Sequence, residues 1–84
     1  MNDKNLSVYV LRSERFPDRY YTGVTNNVPR RVDVHNSGGS QHTSQLRPWK
    51  LVVSLQFDNE ASALAFEKYL KTGSGRAFSK RHFV

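Results

Sequence analysis

Cysteine is absent from this 84-residue chain, which excludes a disulfide framework and any thiolate metal site. No apolar run approaches the roughly 18 residues needed to cross a bilayer. The polar start Met1-Asn2-Asp3-Lys4-Asn5 lacks the hydrophobic segment of a signal peptide. The expectation is a soluble, cytoplasmic protein with no membrane partner. Acidic residues are the next scarcity: seven stand against thirteen Lys and Arg, for a net charge of +6. None falls between Val34 and Phe57, and none follows Glu67. Arg47, Lys50, Lys68, Lys71, Arg76, Lys80 and Arg81 lie in or beside those stretches. Positive charge left uncompensated over two segments of a small domain favours a polyanionic partner, most often nucleic acid, over a merely solvated surface. His35, His42 and His82 have no zinc-ligand spacing, and no phosphate loop, dinucleotide fingerprint or recognisable catalytic Ser or Cys setting is present.

What is present reads as one small globular domain over residues 1–84, with 37% hydrophobic and 24% charged residues. Leu6 to Leu11 is β-rich and predicts a strand. Residues 13–19, with Pro17-Asp18, predict a turn, and Tyr20 to Val24 a second strand, the two forming an antiparallel hairpin. Tyr21 and Gly23 then share a face, with no bulk at Gly23 to crowd the tyrosine. Thr25, Asn26 and Asn27 are cap candidates for a helix over Val28 to Asn36, ended by Ser37-Gly38-Gly39. Residues 40–47 predict a polar, basic loop. Trp49 to Phe57 predicts a third strand with Leu51, Val53, Leu55 and Phe57 alternating onto one face. Asp58-Asn59 caps a second helix over Glu60 to Lys71, Gly73-Ser74-Gly75 breaks it, and Arg76 to His82 forms a short terminal helix. The fold class expected is α/β in the α+β sense: a small three-stranded antiparallel sheet flanked by helices, in the order β-β-α-β-α plus a short C-terminal helix.

Both main helices carry charged or polar groups where packing would select apolar ones. Val28, Arg31, Val32 and His35 fall on one stripe of the first, and Ala63, Phe66, Glu67 and Leu70 on one stripe of the second. Each residue alone has an ordinary reading. Arg31 could snorkel to solvent, His35 could sit at a helix end against the dipole, and Glu67 could pair with Lys71. Tyr9 and Tyr21 could simply pack. Their conjunction favours a site, because unpaired charge on a core-facing stripe is costly unless it is paired, bound to metal or at the lip of a cleft.

The ordered set resembles the GIY-YIG nuclease superfamily over nearly the whole chain, and its small stand-alone bacterial members in particular. Ser7-Val8-Tyr9 stands for Gly-Ile-Tyr and Tyr21-Thr22-Gly23 for Tyr-Ile-Gly. The run from Gly23 to His35 matches the family's helix motif with Asn27, Arg31 and His35, Arg47 to Val52 resembles the start of its third strand, and Glu67 stands at its metal-binding glutamate. Ser7 departs from the name motif, and the expectation is a nuclease module without an attached specificity domain. The resemblance implies a metal-dependent DNA endonuclease-like domain, structure- or damage-directed in repair or recombination. The alternative is a non-catalytic nucleic-acid-binding module or accessory subunit that retains the fold. It implies Tyr9, Tyr21, Arg31, His35 and Glu67 as catalytic residues, with Glu67 holding a single Mg²⁺ or Mn²⁺ and Arg31 the scissile phosphate. Tyr9 is the favoured general base and Tyr21 the positioning hydroxyl, although the two roles could be exchanged. A phenol titrates near 10, so the expectation is that Arg31 and the metal lower the Tyr9 value. Arg30, Arg47, Lys50, Lys71, Arg76, Lys80 and Arg81 would track the backbone of DNA, with RNA as the alternative, and a protein partner could supply specificity. Trp49 at a strand start suits core packing better than base stacking.

Overall fold

The computed structural model describes residues 5–84. Three strands, β1 (Leu6–Ser13), β2 (Tyr20–Thr25) and β3 (Trp49–Phe57), form one antiparallel sheet in the order β2-β1-β3. Helix α1 (Val28–Asn36) follows the β1–β2 hairpin, a single-turn 3₁₀ segment (Ser44–Leu46) precedes β3, and α2 (Glu60–Leu70) and α3 (Gly73–His82) complete the chain. The expected α+β fold and its element order are the ones observed.

β1 is central because it is apolar on both faces. Val8, Tyr9, Val10 and Leu11 are all at most 2% exposed. Val8 and Val10 pack with Ala63 and Leu70 of α2, while Tyr9 and Leu11 pack with Trp49, Tyr21, Val32 and Leu46 on the α1 side. The sheet is therefore covered on both faces, and two small cores share one strand. Each fully buried aliphatic side chain of that strand is worth about 1.5–3 kcal/mol relative to exposure. Trp49 is buried, as expected, with its indole N–H donating to the Thr43 carbonyl at 3.0 Å.

β3 departs from simple alternation. Val10 pairs with Val53 but Leu11 pairs with Leu51, so Val52 is an extra residue opposite β1. This bulge reverses the side-chain parity of the strand. Val53, Leu55 and Phe57 lie on the α2 face, whereas Trp49 and Leu51 lie on the α1 face; both Val52 and Val53 reach the α2-side core. Leu51 thus leaves the stripe assigned to it and is 39% exposed at the sheet edge. The strands of the hairpin also run slightly longer than expected, to Ser13 and Thr25, which shortens the loop to residues 14–19.

Helix ends follow local chemistry. Asn27 caps α1, its side-chain oxygen accepting from the Arg30 amide at 3.2 Å. At the other end Gly39 N–H reaches the Val34 carbonyl and Gly38 N–H the His35 carbonyl, with Gly38 at φ 83°, the left-handed conformation that suits glycine. Gly73-Ser74-Gly75 does not merely interrupt the chain as expected. It forms the first turn of α3, because Thr72 caps that turn through its hydroxyl to Gly75 N–H at 3.1 Å.

Candidate active site

The α1 face of the sheet gathers most of the chemistry. Tyr9 lies opposite Gly23 in the β1–β2 pairing, and Tyr21 lies one step along on the same face. A Cβ on Gly23 would stand 2.6 Å from the Tyr9 hydroxyl and 3.0 Å from the Tyr21 ring, so glycine leaves the room that both rings occupy. α1 brings His35 down onto them. Its ring centroid is 5.9 Å from that of Tyr9 and 4.7 Å from that of Tyr21. Tyr9 and His35 are each 1% exposed, whereas Tyr21 is half-buried at the rim.

Hydrogen bonds hold the imidazole at both nitrogens: Nδ1 lies 2.8 Å from the Thr43 hydroxyl and Nε2 2.9 Å from the Tyr9 hydroxyl. In the tautomer protonated at Nδ1, Thr43 accepts from His35 while donating to the Ser40 carbonyl at 3.4 Å, and Nε2 is free to accept from Tyr9. Burial pushes the His35 pKa below its ordinary 6.5, and the nearby Arg31 cation pushes it the same way. The network and the electrostatics therefore agree on neutral histidine. His35 is thus not an ordinary exposed helix-end residue.

Burial also raises the Tyr9 pKa above 10.0 and outweighs the lowering by the Arg31 guanidinium. Arg31 does draw this phenol down, as expected, but without a metal the loss of water around the buried hydroxyl is the larger effect. Arg31 itself is exposed rather than on the core-facing stripe. Its long stem carries the charge out to the rim, from which it acts on both Tyr9 and His35. Together with Asn27, Arg30 and Val24 it lines a groove of about 640 Å³ along the N-terminal half of α1.

Glu67 stands apart. It comes from α2, which covers the opposite face of the sheet, and its partner is Lys71, one turn along the same helix. No hydrogen bond or ion pair joins it to Tyr9, Tyr21, Arg31 or His35 among the described residues. No group of three or more His, Cys, Asp or Glu capable of holding a metal occurs among them either. A half-buried single carboxylate fits only an ion that keeps most of its own water, which is the habit of Mg²⁺.

The remaining basic residues divide. Lys71, Arg76 and Lys80 line one groove with Arg19, Tyr20 and Tyr21, between β2 and the α2–α3 pair. Arg30 belongs to the α1 groove, and Arg47 to a third beside the β1–β2 loop. Lys50 pairs across from Arg12 on the sheet, and Arg81 sits exposed in the last turn of α3. Two residues that hold the site together are not visible in the sequence pattern. Thr43 orients His35, and Asn36 clasps β3 to the end of α1, donating to the Trp49 carbonyl at 3.0 Å and accepting its amide at 2.5 Å. Both act across long gaps and carry no periodicity that would mark them.

A doubly covered three-stranded sheet that sets a phenol–imidazole pair beside a guanidinium is suited to anionic substrates with a proton to move. Known proteins narrow this class. The GIY-YIG catalytic domain matches residues 5–81, and the chain belongs to that family. It is similar to a UPF0213 protein of Clostridium perfringens, 38% identical over 65 residues that cover 76% of this chain and 68% of that protein. It is also similar to the structure-specific endonuclease subunit SLX1 of Scheffersomyces stipitis, 42% identical over 67 residues. There the match covers 71% of this chain but only 20% of the relative, so this chain corresponds to about a fifth of it. The solution structure of a UPF0213 protein from Bacillus halodurans superimposes with a TM-score of 0.55 at 32% identity, covering 90% of this chain and 80% of that one. Among the described residues no helix is long and apolar enough to cross a membrane.

Proposed function

We propose that this chain is a divalent-metal-dependent endonuclease domain that hydrolyses DNA phosphodiester bonds, directed by the structure or damage of the substrate. The observation that carries this reading is the Tyr9–His35–Thr43 hydrogen-bond chain beside Arg31. A buried phenol with a raised pKa is a poor standing base. It becomes a useful one if its own proton leaves as it takes another. His35 Nε2 is placed to receive the Tyr9 proton, while the Tyr9 oxygen, 1% exposed in this structure, must be uncovered as substrate binds to accept a proton from the attacking water. The resulting imidazolium keeps its Nδ1–H on Thr43, and the phosphate held by Arg31 offsets the new positive charge. Tyr21, at the rim, positions water or phosphate. This assignment favours Tyr9 over Tyr21 as the base, since Tyr9 is the one bonded to histidine.

Glu67 would hold a single Mg²⁺ or Mn²⁺ ion once Lys71 releases it, and a bound divalent ion supplies charge neutralisation at the departing oxygen. The paired state of Glu67 is also the observation that favours a second reading, a binding module or accessory subunit whose site is completed by a partner protein. Incubation of branched, flapped, nicked and supercoiled DNA with the protein and Mg²⁺ or Mn²⁺ separates the two. Metal-dependent cleavage lost in Glu67→Ala and Arg31→Ala supports the enzyme. Equal cleavage by wild type and both variants would expose a contaminant and overturn the assignment, and salt-sensitive binding without cleavage would select the binding module.

A further inference from the structure

The β1–β2 loop presents an anomaly. Phe16 is 42% exposed, yet the loop that carries it is held firmly. The fully buried Ser13 hydroxyl accepts from Phe16 N–H at 2.9 Å and donates to the Leu46 carbonyl at 2.6 Å, so one side chain pins the loop to the 3₁₀ turn opposite. Arg19 N–H donates to the Phe16 carbonyl at 2.8 Å, and Glu14 N–H to the Pro48 carbonyl at 2.9 Å. A groove of about 550 Å³ lies between the two pinned segments, lined by Arg15, Phe16, Arg19, Leu46 and Arg47. The Arg15 guanidinium carbon lies over the Phe16 ring, 5.3 Å from its centroid, so Arg15 covers one face and a stacking base takes the other. Arg47 is fixed by Nε–H donating to the Ser44 carbonyl at 2.8 Å, with its guanidinium over Gly38. None of the three arginines forms an ion pair among the described residues.

We infer that this groove binds an unpaired stretch of DNA next to the cleaved duplex, a base stacking with Phe16 and backbone phosphates meeting Arg15, Arg19 and Arg47. An aromatic face on a rigid, arginine-lined ledge matches what single strands need: a stacking platform beside a cationic track. Inside a continuous duplex every base face is already stacked and none is offered to a side chain without unstacking. The groove therefore favours an unpaired strand over continuous duplex. This rests on the proposed DNA-cleaving function for its substrate but not for its measurement.

The test is fluorescence anisotropy of the intact protein with a labelled oligothymidylate of about ten nucleotides, within the usual single-strand site size, in EDTA so that no cleavage occurs. Phe16→Ala is expected to weaken binding about ten-fold, with Phe16→Leu equally weak and Phe16→Trp at least as tight as wild type. An abasic oligonucleotide of the same length should bind wild type and Phe16→Ala alike. Arg15→Gln and Arg47→Gln should each flatten the dependence of log affinity on log salt by about 0.7. Wild-type affinity in Phe16→Ala, full rescue by Phe16→Leu, or an equal loss on abasic strand each overturns the inference. Because the binding assay lacks metal, a protein that never cleaves but shows the Phe16 pattern removes the proposed activity and keeps the groove. A protein that cleaves flapped DNA and is indifferent to Phe16 does the reverse.

Discussion

At the scale of single residues, the proposed chemistry turns on two atoms: the Tyr9 hydroxyl oxygen and the His35 Nε2 bonded to it. His35 is neutral because it is buried and faces Arg31. Its folded pKa lies below the ordinary 6.5, so between those two values the unfolded chain takes up more protons than the folded one. Stability should accordingly fall as pH drops through that window, with a slope approaching about 1.4 kcal/mol per unit for one proton. Urea denaturation across a pH series reads this directly, and His35→Gln should flatten the curve. Cleavage should show an acid limb in the same range, since imidazolium cannot accept from Tyr9. Gly23→Ala probes the other partner. A methyl group there meets the Tyr9 oxygen at 2.6 Å, and the buried ring can yield only by moving its hydroxyl away from His35. Cleavage should drop at least ten-fold, the scale of a lost positioned base, and Tm should fall as well, since overpacking a buried ring costs about 1–3 kcal/mol. A variant with wild-type turnover would show that the Tyr9–His35 bond is dispensable.

At the scale of elements, most of the architecture follows from local chemistry, and the exceptions have physical reasons. The apolar run Val8–Leu11 marks a strand, Asn27 and Gly38 mark the ends of α1, and Asn59 caps α2 at 3.1 Å through Ser62 N–H. The bulge at Val52 leaves no such mark. Odd positions 49 to 57 are all apolar, and only the need to feed two cores, one on each face of β1, reveals that the stripe must switch sides. Tyr9, Tyr21 and His35 are brought together by their conjunction and by the family resemblance, whereas Thr43 and Asn36 act through polar contacts across 8 and 13 residues that no periodicity encodes. The start of α3 was hidden because two glycines in three residues read as a break. Gly75 is there for proximity: a Cβ would lie 1.8 Å from the Tyr69 carbonyl oxygen and 2.6 Å from the Leu70 Cα, both backbone atoms that cannot swing aside. Gly75→Ala should cost about 3 kcal/mol and lower Tm by roughly 10–20 °C in a domain of this size. Gly73→Ala, with nothing within 4 Å, should be neutral or stabilising. Equal melting of the two variants would remove the close α2–α3 approach as the reason for the glycine.

At the scale of the whole molecule, a net charge of +6 favours polyanions without placing them, and the fold brings Arg19, Lys71, Arg76 and Lys80 to one groove. Arg76 and Lys80 project from α3 into the groove that Tyr20 and Tyr21 also line, and Tyr21 is the one ring of the aromatic trio that belongs both to that groove and to the Tyr9–His35 cluster. A duplex lying along the groove therefore leads to the site. Lys50 and Arg81 do not line it. Each phosphate contact on B-DNA contributes about 0.9 to the slope of log affinity against log salt. Replacing both Arg76 and Lys80 by Gln should flatten that slope by about two for duplex DNA, and do so evenly across sequences because phosphates carry no base identity. Replacing both Lys50 and Arg81 removes the same formal charge, so long-range attraction falls equally in the two double variants. Any difference between them isolates direct contact from net charge. Titrations of a blunt duplex at several salt concentrations make the comparison. Identical slopes for the two variants would mean that the duplex does not approach along this groove.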